Sequence, residues 1–284
     1  MPKIGAHMSI AGGVFRALDR GEELGLETIQ IFTKNANQWA GRPLTEEERE
    51  RFLHRREETG IEPVVAHDSY LINLASPDKE MFARSLDAFE DELLRCRRLE
   101  IPYLVMHPGA HLKTGEARGV AQVGRAIRVA LLEEEGGVRV LLETTAGQGT
   151  QLGYRFEHLR DIMAEIGIPE RVGVCLDTCH VFAAGYDIRT EETYARTMEE
   201  FDRVVGLDTL RVVHVNDSKR ELGSRVDRHE HIGRGQIGEE AFSFFLRDER
   251  LSTLPFILET PKTAPDTQVP MDTVNVERLR KMLR

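Results

Sequence analysis

The sequence predicts a (β/α)₈ barrel, an α/β fold of the TIM-barrel kind, with residues 1–284 forming one domain. Three observations carry this expectation. Short, nearly continuous apolar runs alternate with helical patterns eight times in order, which implies a parallel sheet whose strands are buried on both faces. A chain of 284 residues that is 40 % apolar can bury one large core, and single barrels routinely have this size. Six consecutive runs carry His, Asp or Glu at or near their carboxyl ends, as a barrel with a polar mouth at the carboxyl ends of its strands requires. An open doubly wound sheet is the alternative.

The elements follow in order. The first run, KIGAH at 3–7, precedes a helical pattern over 12–24. TIQIF starts at 28, and Thr45 with Glu48 is a capping-box signal for the charged helix at 46–58. After PVVAH at 63–67 comes a helix over 78–99, in which Phe82, Leu86, Phe89, Leu93 and Cys96 recur at spacings of four and three. They form one apolar stripe, which places Cys96 in the core. PYLVMH at 102–107 leads to a helix at 118–134, and VRVLLE at 138–143 to one at 155–166. VGVCLD at 172–177, RVVHVN at 211–216 and PFILE at 255–259 complete the strands, with helices at 193–205, 239–247 and 273–283.

Composition narrows the function classes. Three scattered cysteines argue against a disulfide framework. No stretch is long and apolar enough for a membrane span, and the expectation is a cytoplasmic monomer without membrane association. The formal charge of −10 weighs against nucleic acid, which usually attracts basic domains.

The strand ends carry the chemistry. Strand three ends at His67, four at His107, five at Glu143 and six at Asp177; His214 lies at the end of strand seven, and Glu259 closes strand eight. Carboxylates and imidazoles converging on one mouth repel or stay poorly solvated unless cations bind them together. Imidazole favours zinc, manganese or iron over magnesium or calcium. His180 follows Asp177 by three, and the long segment 216–238, read as a loop without structure of its own, carries Asp227 and His229 two residues apart. Asp227 and His229 with His180 would make a separate, more exposed metal position; His231 could replace His229 on spacing alone. His7 lines the pocket or ligates, and His54 and His158 are expected on the solvated surface of helices.

Nine ligands suit two or three ions with shared carboxylates, a device recurrent in phosphoryl chemistry. Three divalent ions would add six charges to −10 and leave −4, so the mouth can be positive on an acidic protein. Lys219, Arg220, Arg225, Arg228 and Arg234 in the same segment suit phosphate contacts. Cys175 and Cys179, four apart beside Asp177, are expected to pack rather than to ligate.

These stretches also resemble a known family. HDSYLINLASP (67–77), LVMHPGAH (104–111), LLETTAGQGTQLG (141–153), LDTCHVFAAGYD (176–187), VVHVNDSK (212–219), SRVDRHEHIG (224–233) and ILETP (257–261) are similar to the endonuclease IV family of apurinic/apyrimidinic endonucleases, nearly end to end. The resemblance implies a xylose-isomerase-like TIM barrel with three zinc ions, Mn²⁺ or Fe²⁺ being suited to some positions. One ion would sit on His67 and His107, bridged by Glu143 to a second on Asp177, His214 and Glu259; a third would sit on His180, Asp227 and His229. It implies incision of double-stranded DNA 5′ to an abasic site, leaving a 3′-hydroxyl and a 5′-deoxyribose phosphate, and trimming of blocked 3′ ends. Glu143 and Glu259 would be catalytic, Glu259 orienting or deprotonating the nucleophile. Tyr70 and Leu71 would fill the gap left by the displaced nucleotide. Asn37 stands where some members carry arginine, a shorter wedge, with Lys34 nearby as a substitute.

Two other readings compete. A sugar isomerase or epimerase on the same barrel would need one ion on Glu143, Asp177, His214 and Glu259 and would leave the other five ligands idle. A damage-binding module without catalysis would leave the whole cluster unused.

Overall fold

The computed structural model describes residues 1–283. Its strands are β1 (Lys3–His7), β2 (Thr28–Phe32), β3 (Val64–His67), β4 (Tyr103–Met106), β5 (Arg139–Glu143), β6 (Val172–Asp177), β7 (Leu210–His214), β8 (Asp217–Ser218), β9 (His229–Glu230) and β10 (Pro255–Leu258). The helices are α1 (Arg16–Glu23), α2 (Glu46–Thr59), α3 (Lys79–Arg98), α4 (Glu116–Glu133), α5 (Phe156–Ile166), α6 (Thr178–Ala184), α7 (Glu191–Val204), α8 (Glu239–Arg247) and α9 (Met271–Met282). Eight strands close in the order β1-β10-β7-β6-β5-β4-β3-β2, and every neighbouring pair is parallel. Closure excludes the open sheet.

Side chains alternate across each strand with a period of two, and this builds the interior in layers. Val65, Val105, Leu141, Cys175, Val212 and Ile257 form one buried apolar cluster capped by Tyr103. Two residues further along the same six strands stand His67, His107, Glu143, Asp177, His214 and Glu259. The apolar plug is thus the floor of the polar mouth. Cys175 belongs to that floor, and Cys96 is fully buried in the layer between barrel and helices. Gly5 is required where β1 meets β2, because a Cβ there would collide with the Thr28 carbonyl.

The capping box of Thr45 and Glu48 opens α2 as expected, and Phe89, Leu93 and Cys96 are buried along α3. Two elements depart from expectation. The turn after β6 is helical: α6 is capped by the Asp177 carboxylate, which accepts from the His180 amide at 2.8 Å, and it stops at Gly185 with φ 113. Segment 216–238 is not structureless either, because β8 and β9 pair as an antiparallel ribbon. Buried Asp217 organises the return of the chain, accepting from the amides of Gly233, Gly235 and Ile237, each at 3.0 Å, and of Ser218 at 2.7 Å. The outer part of the segment is tied to α6 through Gly223 N–H to Phe182 O at 3.1 Å and Arg225 N–H to Ala183 O at 2.9 Å.

Candidate metal centre

The nine side chains singled out at the strand ends and in the 216–238 segment meet in three groups. His67, His107 and Glu143 form one; Glu143, Asp177, His214 and Glu259 a second; His180, Asp227 and His229 a third; within each, the candidate ligand atoms lie within 4.8 Å of one another. Glu143 belongs to two groups because its oxygens face opposite ways. Oε2 lies 3.0 Å from His67 Nε2 and 3.2 Å from His107 Nε2, while Oε1 lies 3.1 Å from His214 Nδ1 and 3.2 Å from His180 Nδ1. In the third group, Asp227 lies 3.1 Å from His180 Nε2 and 3.4 Å from His229 Nε2.

The polarity of the imidazoles shows what these groups suit. His67 Nδ1 donates to Asp68 O at 2.9 Å, His180 Nδ1 to Thr144 O at 2.8 Å and His229 Nδ1 to Glu259 O at 3.3 Å. Each therefore turns its other nitrogen, a lone pair in the neutral ring, toward the carboxylates. His180 Nε2 and His229 Nε2 face each other at 3.4 Å beside Asp227. Lone pairs and carboxylate oxygens crowded in this way repel one another and suit a divalent cation among them. The residues fit a metal cluster.

Neighbouring charges shift the titration of several members of the cluster. Burial opposes the charge of Glu143, yet His107 and His214 outweigh it and hold the carboxyl well below its usual range. Glu259 is likewise held down against burial by His214. Burial also opposes a proton on His180, but Asp177 and Asp227 raise its pKa well above the usual value. His214 is raised too, against burial, by Cys175, Glu259 and Glu143.

Some supporting residues were invisible in the sequence. Gln30, in the middle of β2, is fully buried and bridges His214 and Glu259. Asn216 donates to Asp177 Oδ2 at 2.7 Å and accepts from the Glu259 amide at 2.8 Å, tying the ends of β6, β7 and β10. The only sequence signal for either is a polar side chain inside or directly after an apolar run.

Other expectations are corrected. His158 is not on the solvated surface but buried, its Nδ1 accepting from Gly153 N–H at 3.2 Å and its Nε2 3.1 Å from Glu116. His231 cannot replace His229, being turned away onto Asn275 Nδ2 at 3.2 Å. Lys34 cannot substitute for a wedge, because its buried ammonium is 2.7 Å from Asp91 and 3.3 Å from Glu92. His54 is exposed as expected, and His7 lies 3.7 Å from Glu259. Cys179 Sγ lies within 4.8 Å of candidate ligand atoms on Asp177 and His229, but it donates to Arg228 O at 3.7 Å, and burial pushes its thiol up to about 12.

The remaining residues ring the mouth. Tyr70 is 67 % exposed, its ring 5.2 Å from Phe32 and 6.1 Å from His67. Leu71 beside it is half-buried, and Asn37 is exposed with its amide on Asn35 Oδ1. Lys219, Arg220, Arg225 and Arg228 are all exposed. Arg225 stacks its guanidinium 4.3 Å from the centre of the Tyr154 ring, and Tyr154 donates to Glu116 at 2.6 Å. Arg234 pairs with Asp266 at 3.0 Å.

The family model for the xylose isomerase-like TIM barrel matches residues 18–281. A protein of Chloroflexus aurantiacus named probable endonuclease 4 is 53% identical over 100% of this chain and 99% of its own length. The chain belongs to the endonuclease IV family. A second probable endonuclease 4, from Geobacter sulfurreducens, is 51% identical over 99% of this chain and 94% of its own. Among solved structures, endonuclease IV from Thermus thermophilus superposes with a TM-score of 0.85 at 39% identity, covering 99% of both chains.

Proposed function

We propose that this enzyme is a metal-dependent apurinic/apyrimidinic endonuclease of DNA base-excision repair. It hydrolyses the phosphodiester 5′ to an abasic site in duplex DNA, leaving a 3′-hydroxyl and a 5′-deoxyribose phosphate, and it trims blocked 3′ ends. The observation that carries this reading is the convergence of nine ligand side chains in three contiguous groups, with Glu143 shared between two. A sugar isomerase of this barrel would need only the four-residue group. No described helix is long and apolar enough to cross a membrane.

In this proposal Glu143 bridges the His67/His107 and Asp177/His214/Glu259 positions, and His180, Asp227 and His229 hold a third ion. Zinc suits this mixture of imidazole and carboxylate, with Mn²⁺ or Fe²⁺ acceptable at some positions. Divalent ions bound there supply Lewis acidity and neutralise the charge developing on the phosphoryl group. Glu259 orients the attacking water and takes its proton on a carboxylate oxygen as the water oxygen bonds to phosphorus and the P–O3′ bond breaks; the departing 3′ oxygen takes a proton from solvent. Lys219, Arg220, Arg225 and Arg228 contact backbone phosphates, which positions the duplex without reading its sequence. Tyr70 and Leu71, with Asn37 on the adjoining loop after β2, where Ser69 Oγ donates to Ala36 O at 2.7 Å, occupy the space left when the abasic nucleotide leaves the stack, an exchange costing a few kcal/mol.

The test is incision of a duplex carrying one abasic site, by metal-replete protein and by protein stripped with a strong chelator. Specific incision that chelation abolishes and zinc restores supports the reading; no incision by replete protein refutes it.

A further inference from the structure

Gln30 is the least expected residue of the barrel interior. It interrupts the apolar strand TIQIF, has no exposed surface, and carries an amide that burial penalises unless every polar atom is bonded. Both ends are bonded. Nε2 donates to Glu259 Oε1 at 2.6 Å, and Oε1 faces His214 Nε2 at 2.7 Å. The second amide hydrogen points to His7 Nδ1 at 3.1 Å.

The chemistry of the partners fixes the amide's orientation. An ionised carboxylate only accepts, so the NH₂ must face Glu259 and the carbonyl must face His214. His214 Nε2 then has to be the protonated nitrogen. Its Nδ1 is left to face Glu143 Oε1 and Glu259 Oε2, each at 3.1 Å. His67, His180 and His229 have the same polarity imposed by backbone carbonyls. For His214 the task falls to a side chain, and the same side chain also holds one oxygen of Glu259, leaving the other beside His214.

We propose that Gln30 is a positioning residue of the metal centre: one amide sets which nitrogen of His214 and which oxygen of Glu259 are presented to the ion they share. This rests on the metal-dependent reading above. It assigns Gln30 a role that its burial alone does not require, since an apolar residue of similar volume would fill the same space.

The test compares zinc-loaded wild type with Gln30→Met, which keeps volume and loses both bonds, and Gln30→Asn, which keeps the amide but is one methylene too short to span the two partners. Zinc transfer to a chromogenic chelator is followed together with the ¹H–¹⁵N signal of the His214 Nε2–H group and the melting of the metal-free proteins. Outer-shell partners of this kind contribute about 10–100-fold in metal affinity. The expected result is a loss of that size for one ion per chain in both variants, a missing or rapidly exchanging Nε2–H signal, and metal-free melting close to wild type. Should Gln30→Met fail to fold, Gln30→Asn alone carries the same expectation. Wild-type zinc retention with a wild-type Nε2–H signal in a folded variant overturns the role of Gln30 while leaving the nuclease reading intact. A wild-type protein that holds no zinc at this group overturns both.

Discussion

The contact between Arg225 and Tyr154 makes the stability of the 216–238 segment measurable. Arg225 lies two residues before Asp227, and its guanidinium sits 4.3 Å from the Tyr154 ring centre on the β5–α5 connection. A cation–π contact at an exposed site contributes about 0.5–1 kcal/mol, which corresponds to a roughly two- to fivefold change in an opening equilibrium. Arg225 adopts φ 53, and alanine keeps a Cβ there, so Arg225→Ala removes the contact without altering backbone strain. Hydrogen exchange of the Gly223 amide, bonded to Phe182 O, reports opening of the segment directly. Arg225→Ala and Tyr154→Ala should each speed that exchange about two- to fivefold, and the double variant should be no faster than the faster single one. Multiplicative effects, or exchange at the wild-type rate in both single variants, would refute the coupling.

Three further outcomes are expected. Replacing Lys219 and Arg220 by alanine should weaken DNA binding across sequences and flatten the plot of log affinity against log salt by about 0.9 for each phosphate no longer neutralised; an unchanged slope places DNA elsewhere. Glu259→Gln should preserve the fold and most bound metal while losing much of the incision rate; near-normal turnover contradicts its role in proton transfer. In metal-free protein the raised pKa values of His180 and His214 contribute stability that is full below the ordinary 6.5 and is lost as pH rises through the folded values. The depressed Glu143 and Glu259 act oppositely, contributing above the ordinary 4.5 and losing that contribution as pH falls through their folded values. Metal-free melting temperature should therefore decline as pH rises above the ordinary 6.5, whereas the metal-loaded protein, whose imidazoles must be deprotonated, should gain as pH rises over the same range. Parallel pH profiles for the two forms would contradict this.

The barrel was legible because each inward apolar residue, such as Val65 or Ile257, stands two positions before a polar one, His67 or Glu259. That rhythm, repeated over six strands, encodes both the closed sheet and its mouth. The small elements were not legible for physical reasons. Helix α6 is seven residues long, too short for a periodic signal, and depends on Asp177 serving as its cap. The β8–β9 ribbon depends on Asp217, whose four amide partners lie between one and twenty residues away. Lys34 read as a substitute wedge and His158 as a surface residue because their partners, Asp91 and Glu92 or Glu116, come from distant helices. Gln30 was hidden by its apolar neighbours, since sequence pattern records burial but not the hydrogen bonds that make it tolerable.

The most direct test of the account is the zinc content of the purified protein, measured alongside incision of abasic duplex as metal is withdrawn. Close to three ions per chain are expected, with loss of incision as they leave. A protein that saturates at one ion, or that incises equally well without any, would contradict it.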